Sequence, residues 1–152
     1  MRVIGVGNAW RRDDAAGLEA ARRLRGTLGQ GAEVLEREGE PAGLIDTWED
    51  ADALWLIDAV SSGSPPGTTC RIDVSAEELP AELFRASTHH LGLAEAVELA
   101  RALGRLPQRV VFYGIEGASF DVGQGLSPEV EAAVAEVAEA VRAEVEQCTS
   151  GS

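Results

Sequence analysis

The chain has 152 residues, of which 45% are hydrophobic and 26% charged, and its formal net charge is −13. This composition is that of an ordinary globular protein with enough apolar residues for one sizeable core. The acidic balance disfavours nucleic acid and anionic membranes as partners, because both need a positive protein face. No apolar run approaches the roughly 20 residues that span a bilayer, and the N-terminus lacks the apolar stretch of a signal peptide. We therefore expect a cytoplasmic protein.

Apolar periodicity and turn residues divide the first part of the chain into alternating strands and helices. They predict strands over residues 2–6, 32–36 and 53–57, and helices over residues 14–24 and 41–50. The glycines and prolines between these runs are typical of turns.

The second part begins with a strand over residues 68–74, which follows a turn-rich loop at 61–67. That loop is too short for a helical crossover, so we expect this strand to be antiparallel at a sheet edge. Residues 76–84 predict a short helix or a loop. A helix that ends near Leu103 with Thr88 as N-cap, a strand over 109–115 and a final helix from Ser127 follow. The final helix carries an apolar stripe of valines (Val130, Val134, Val137, Val141 and Val145).

This alternation predicts an α/β three-layer sandwich. Its twisted sheet should have about five strands, mostly parallel with one antiparallel edge strand, and helices on both faces. We expect one domain over residues 1–147, a frayed tail at 148–152, and a monomer.

Scarce residue types limit the chemistry. All 13 basic residues are arginine, so there is no lysine for Schiff-base chemistry or for a phosphate-binding P-loop. The two histidines are neighbours, His89 and His90, and any histidine ligand must come from this pair. The two cysteines, Cys70 and Cys148, have no metal-type spacing, so a closed structural zinc site is not expected.

The loop after the first strand is the most polar turn in the chain. It opens like a dinucleotide fingerprint with Gly5 and Gly7, but the third glycine would fall at Trp10, so the fingerprint fails. Asp13 and Asp14 end the loop, and one aspartate suffices to cap the helix that follows. Trp10 is either a buried anchor or an exposed substrate contact, and the sequence leaves both interpretations open.

Asp14 follows the first strand and Asp58 the third, so both should lie at the carboxyl edge of a parallel sheet. His89 and His90 precede a later helix. Taken singly, these residues are explained as a helix cap, a turn aspartate and surface histidines. Together they form a mixed nitrogen and oxygen ligand set, which suits a borderline divalent metal such as zinc or nickel.

Four motifs follow one another along the chain. They are Gly5-x-Gly7-Asn8-x-x-x-x-Asp13-Asp14-x-x-Gly17, Ile57-Asp58-Ala59, His89-His90-Leu91-Gly92-Leu93 and Gly125-Leu126-Ser127-Pro128-Glu129-Val130. In order and spacing they resemble the motifs of the hydrogenase maturation endopeptidases, which process the large subunit of nickel–iron hydrogenases. The resemblance covers roughly residues 1–146.

This resemblance implies a cytoplasmic protease that removes a short C-terminal extension from the hydrogenase large-subunit precursor after nickel insertion. It implies that Asp14, Asp58 and His89 are the catalytic and metal-binding residues, and that the nickel is carried by the substrate. The nickel would either report a loaded substrate or polarise the scissile carbonyl and activate water, and both roles stay open. The sequence departs from the family at Asp14, where glutamate is frequent, and at Glu38-Gly39-Glu40-Pro41, where many members have a glycine pair. The hydrogenase served therefore stays open.

Two other function classes remain open on the residues alone. One is a non-catalytic α/β module that binds a nucleotide or a small anion. The other is a small-molecule metallohydrolase with a resident metal.

Overall fold

The computed structural model describes residues 1–38, 41–48, 50–85 and 92–150. Within them the chain forms five strands and four α-helices. The strands are β1 (Arg2–Val6), β2 (Glu33–Arg37), β3 (Ala53–Val60), β4 (Thr69–Asp73) and β5 (Arg109–Glu116). The helices are α1 (Ala16–Leu24), α2 (Ile45–Trp48), α3 (Leu93–Ala102) and α4 (Pro128–Ser150). Short 3-10 turns lie at Arg12–Ala15, Pro41–Leu44 and Ala81–Leu83.

The strands form one sheet in the order β2-β1-β3-β5-β4. β1, β2, β3 and β5 pair in parallel, whereas β4 pairs antiparallel with β5 at the edge. The loop between β3 and β4 is too short for a crossover helix, so the chain returns in the opposite direction. The predicted α/β fold, with a mostly parallel sheet and one antiparallel edge strand, is confirmed.

Helices cover both faces of the sheet. α1 and α4 pack on one face, where α4 meets Trp55 and Ile57 of β3. α2 and α3 pack on the other face against Leu54 and Leu56. Because neighbouring residues of a strand point to opposite faces, β3 is buried along its whole length. The predicted apolar stripe of α4 is confirmed, since each of its five valines is at most 2% exposed (Val130, Val134, Val137, Val141 and Val145).

β3 is longer than the sequence predicts. It continues to Val60 instead of ending at Ile57. The cause is its pairing with β5, which runs from Ala53 opposite Arg109 to Val60 opposite Glu116. The ladder thus keeps the chain extended beyond Ile57, so Asp58, which the sequence places after the strand, is part of it.

The helices differ from the prediction at their ends. The predicted helix at 41–50 is a 3-10 turn followed by the short α2. α4 includes residues 148–150, which the sequence assigned to a frayed tail. α3 begins at Leu93 with Gly92 in the N-cap position, and the predicted cap, Thr88, lies outside the described residues. None of the helices in the described ranges has both the length and the apolar composition needed to cross a bilayer.

Candidate functional site

Three glycines let the opening loop and α1 lie directly on the sheet. A Cβ atom at Gly5 would be 2.2 Å from the carbonyl oxygen of Gly17, and one at Gly7 would be 2.0 Å from that of Asp14. A Cβ at Gly17 would in turn be 2.2 Å from the carbonyl oxygen of Ile57. Gly17 therefore makes the close contact between helix and strand that the third glycine of a dinucleotide fingerprint makes. The 3-10 turn before α1 is thereby held against the carboxyl ends of β1 and β3.

The structure brings Asp14 and Asp58 together. Asp14 is partly exposed in the 3-10 turn after β1, and Asp58 lies near the carboxyl end of β3 with 8% of its surface exposed. Burial raises the pKa of Asp58 well above its usual range, and the negative charge of Asp14 raises it further. The N–H of Ala59 donates to Asp58 Oδ1 at 2.8 Å and opposes this shift without cancelling it. The two carboxylates are therefore close enough for their charges to repel.

Asp58 lies on the face of the sheet that α2 and α3 cover. It has the same parity along β3 as the leucines that pack against these helices. Residues 86–91 precede the N-cap of α3 on the chain. His89, the third predicted site residue, belongs to this segment and lies outside the described residues, as does His90. The described structure thus contains two of the three predicted site residues and the helix that follows the third.

Asp13 is not an N-cap, although the sequence favoured a capping role. It lies in the 3-10 turn before α1, and no side chain caps either that turn or α1. Asp13 is fully buried, and its Oδ2 accepts hydrogen bonds from the N–H of Ala118 (2.7 Å), the N–H of Ser119 (3.0 Å) and the hydroxyl of Ser127 (2.8 Å). Its Oδ1 accepts from the N–H of Ser127 at 2.8 Å. Burial alone would raise the pKa of Asp13, but these donors lower it.

A third buried carboxylate, Glu116, lies at the carboxyl end of β5 and was missed by the sequence analysis. It is 3% exposed, and it accepts hydrogen bonds from the N–H of Ser62 at 3.0 Å and from the hydroxyl of Ser62 at 2.6 Å. These bonds hold the loop after β3 against β5. The reasoning that singled out Asp58, an acid directly after an apolar strand, could have found Glu116 as well.

The structure decides between the two interpretations of Trp10. Its side chain is 62% exposed, so Trp10 is not a buried anchor. Its backbone N–H donates to Asn8 Oδ1 at 2.9 Å, which fixes the turn. The N–H of Ala9 donates to Glu38 Oε1 at 2.8 Å and ties the opening loop to the end of β2. Residues 39–40, where the sequence departs from the family, lie outside the described residues.

The candidate reactive groups in the described part of the site are carboxylates rather than activated thiols. Burial raises the pKa of the Cys70 thiol, and the charge of Glu116 adds to this effect, so Cys70 is a poor nucleophile. Cys148 accepts a hydrogen bond from Arg109 near the far end of α4. No group of three or more His, Cys, Asp or Glu side chains forms a metal-binding cluster within the ranges that the structure describes.

The chain was compared with known protein families to find proteins that share this fold and these motifs. Residues 23–144 match the HycI family of hydrogenase maturation proteases. The chain belongs to the hydrogenase maturation protease family. The match covers more than half of the chain, and it confirms the family, and the class of enzyme, that the motifs predict.

Individual members of the maturation protease family match most of the chain. The hydrogenase 2 maturation protease of Escherichia coli (strain K12) is 34% identical over an alignment of 146 residues that covers 93% of this chain and 87% of that protein. The hydrogenase expression/formation protein HupD of Thiocapsa roseopersicina is 31% identical over 134 residues, or 85% of this chain. The matched region spans only 60% of that HupD protein.

Solved structures of maturation proteases share the fold. The hydrogenase maturating endopeptidase HybD of Escherichia coli superposes with a TM-score of 0.79 at 26% identity, over 97% of this chain and 92% of that one. The solution structure of an Escherichia coli endopeptidase gives a TM-score of 0.82 at 30% identity, over 98% and 94% of the two chains. The maturation protease fold therefore extends over nearly the whole chain.

Proposed function

We propose that this protein is an endopeptidase that removes the C-terminal extension of a nickel-loaded hydrogenase large-subunit precursor. Family membership supports the class of reaction. The observation that carries the proposal to this chain is the pairing of Asp14 with Asp58 at the carboxyl rim of the sheet, where open α/β folds bind their ligands. We place the activity in the cytoplasm and expect a monomer.

The carboxylate pair suits a cation that arrives with the substrate. Burial and the charge of Asp14 both disfavour the ionised form of Asp58, which is why its pKa is raised. A divalent cation at this position replaces the repulsion between the two carboxylates by two attractions and favours ionisation of both. A pair that is unfavourable without a cation and favourable with one can distinguish a loaded precursor from an unloaded one.

His89 completes the proposed recognition set. A neutral imidazole and two carboxylates give mixed nitrogen and oxygen donors, which suit a borderline ion such as nickel. Nickel belongs to the substrate in this proposal, and its remaining coordination positions are filled by the precursor's own ligands. We assign Asp14, Asp58 and His89 to nickel recognition and, because the substrate is held at these groups, to catalysis.

The test is incubation of the purified protein with a nickel-loaded large-subunit precursor, scored by the mass of the released peptide. We expect release from the loaded precursor and none from the same precursor without nickel. Asp58→Asn and His89→Ala should abolish release. The matched controls are Asp73→Asn, on the exposed edge strand β4, and His90→Ala, and both should retain it. Normal trimming by Asp58→Asn and His89→Ala would refute the site assignment.

Two further measurements separate the other function classes. Elemental analysis of the purified protein should show far less than one metal ion per chain. A stoichiometric metal would instead favour a metallohydrolase with a resident ion. Calorimetric titration with nucleotides should show no binding, whereas tight nucleotide binding without trimming would favour a non-catalytic module.

A further inference from the structure

Two large apolar side chains are exposed on neighbouring loops beside the candidate site. Trp10 is 62% exposed and Val122 is 86% exposed. The other two large hydrophobic residues exposed among the described residues, Leu99 and Leu103, lie at the C-terminal end of α3. An exposed indole is costly to leave in water, and tryptophan is enriched among the residues that dominate binding at protein interfaces.

The two loops are bonded to each other, so this surface is formed before any partner arrives. The N–H of Gly123 donates to the carbonyl of Trp10 at 2.8 Å, and the N–H of Arg12 donates to the carbonyl of Gly123 at 3.1 Å. Arg11 Nε donates to the carbonyl of Phe120 at 2.9 Å. A surface held in this way loses little conformational entropy on binding, which favours affinity.

Arg12 adds a positive charge to the surface. It is exposed, and its Nε would lie 3.1 Å from a Cβ placed on Gly123, so the guanidinium extends over the second loop. Among the residues that the structure describes, Arg12 forms no ion pair, in a chain whose net charge is −13. Most other arginines pair with carboxylates (Arg2, Arg22, Arg25, Arg71, Arg101, Arg105 and Arg142). A guanidinium with no ion-pair partner among the described residues, on the same loop as an exposed indole, fits an apolar side chain next to a carboxylate.

We propose that Trp10, Arg12 and Val122, named here the Trp10–Val122 surface, dock the precursor at a segment that presents an apolar side chain beside a carboxylate. This inference rests on the proposed function, since the occupant is the protein whose nickel reaches Asp14. Asp14 is two residues after Arg12 in the same 3-10 turn. An open cleft of about 470 Å³ lies between Ala9, residues 124–126 and α1, and Glu19, Arg22 and Glu131 also line it.

The test measures trimming of the nickel-loaded precursor by variants of the surface. Trp10→Ala and Val122→Ser should each raise KM several-fold, up to about tenfold. They should leave kcat within about twofold, because docking contributes to binding alone. Arg12→Asn and Arg12→Asp both suit the positive φ of 45° at this position, since Asn and Asp tolerate that conformation. The aspartate should raise KM more than the asparagine, because it reverses the charge instead of removing it.

Two controls match these variants. Leu103→Ala removes an exposed apolar side chain directly after the C-terminal end of α3. Arg23→Asn removes an exposed arginine from α1. Both should keep the KM of the unmodified protein. Equal thermal midpoints for all variants would show that the changes in KM do not come from unfolding.

Direct binding to the immobilised precursor without nickel separates this inference from the proposed function. If the protein binds this precursor and yet does not trim the nickel-loaded one, the protease proposal fails, while weaker binding by Trp10→Ala and Arg12→Asp still supports the surface. If trimming proceeds and both variants bind as tightly as the unmodified protein, the surface is refuted and the protease proposal stands. Absence of any binding by the unmodified protein refutes the surface as well.

Discussion

The carboxylate of Asp13 accepts hydrogen bonds from both the backbone N–H and the hydroxyl of Ser127, each at 2.8 Å. Ser127 directly precedes α4, so a buried negative charge lies at the N-terminus of the longest helix. The same carboxylate accepts from the two consecutive N–H groups of Ala118 and Ser119 after β5. One side chain thus joins the opening loop, the loop after β5 and the start of α4, and it is the residue before Asp14.

Asp13→Asn should destabilise the protein by about 3 kcal/mol, because the amide loses charge-assisted hydrogen bonds and turns a donor towards donors. Ser127→Ala should cost about 1 kcal/mol, since it removes one donor and keeps the backbone bond. Urea unfolding measures both. Asp73→Asn, on the exposed edge strand β4, is the control and should leave the midpoint within about 0.5 kcal/mol of the original. A midpoint for Asp13→Asn equal to that of the unmodified protein would contradict the structural role assigned to this carboxylate.

Gly17→Ala should destabilise the protein by about 3 kcal/mol or more, because its Cβ would lie 2.2 Å from one backbone oxygen of β3 and 2.5 Å from one of β1. Relief requires α1 to move away from the sheet, which also displaces Asp14. Gly29→Ala serves as control, since nothing lies within 4 Å of the added Cβ. Its midpoint should stay within about 0.5 kcal/mol of the original. Similar unfolding curves for both variants would show that the close contact at Gly17 is not required.

The buried hydroxyl of Tyr113 should lower the free energy of unfolding at alkaline pH. Burial raises the pKa of Tyr113 to about 12, and its hydrogen bond to the Glu144 carboxylate contributes, while Arg71 opposes. An ordinary tyrosine has a pKa of about 10, so between about pH 10 and 12 the unfolded chain is ionised and the native state is not. Stability should therefore fall as pH rises through this window, by about 2–3 kcal/mol.

This titration can be observed in isolation, because the chain has one tyrosine and no lysine. Tyrosinate absorbance should report a midpoint near that of Tyr113 in the folded protein, and an ordinary one in urea. Tyr113→Phe should remove the loss of stability between about pH 10 and 12. Ionisation of the folded protein at the ordinary tyrosine pKa would show that the hydroxyl is not buried against Glu144.

In the absence of metal, Asp58 should make the protein less stable as pH rises, which is the opposite of the usual contribution of a carboxylate. Its pKa is raised in the native state, so above the ordinary value of about 4 the unfolded chain releases its proton first. Stability should therefore fall as pH rises from about 4 towards the native pKa of Asp58. Asp58→Asn should be the more stable protein at pH 7 and should lack this part of the slope. Thermal unfolding of the metal-free proteins between about pH 4 and 8 measures the difference, and lower stability of Asp58→Asn at pH 7 would contradict the burial argument.

Residues whose environment is set by local pattern were predicted well. The valines of α4 and the apolar run of β3 lie where their periodicity predicts, because burial of one helix face or of a whole strand is read directly from spacing. The antiparallel edge of β4 followed from the length of one loop. Asp58 was singled out because an acid at the end of a buried strand is unusual, although the same reasoning was not applied to Glu116.

Residues whose partner is distant in sequence were not predicted. Asp13 carries the local signature of a helix cap, yet its hydrogen bonds reach Ser127, 114 positions later. Glu116 and Ser62 are 54 positions apart and meet because the carboxyl ends of β3 and β5 are neighbours. Such pairs depend on strand order, which neither residue reveals.

The sequence by itself determined the α/β class, the family and the placement of Asp14 and Asp58 near the carboxyl ends of β1 and β3, because periodicity, turn residues and motif spacing are local properties of the chain. Only the tertiary structure decided that Asp13 is buried and hydrogen-bonded to distant loops, and that Trp10 is exposed. It also decided that the charge of Asp14 raises the pKa of Asp58. The physical reason is that burial and electrostatic interaction depend on which elements pack together. That packing is set by the order β2-β1-β3-β5-β4 and by the glycines that bring α1 onto it.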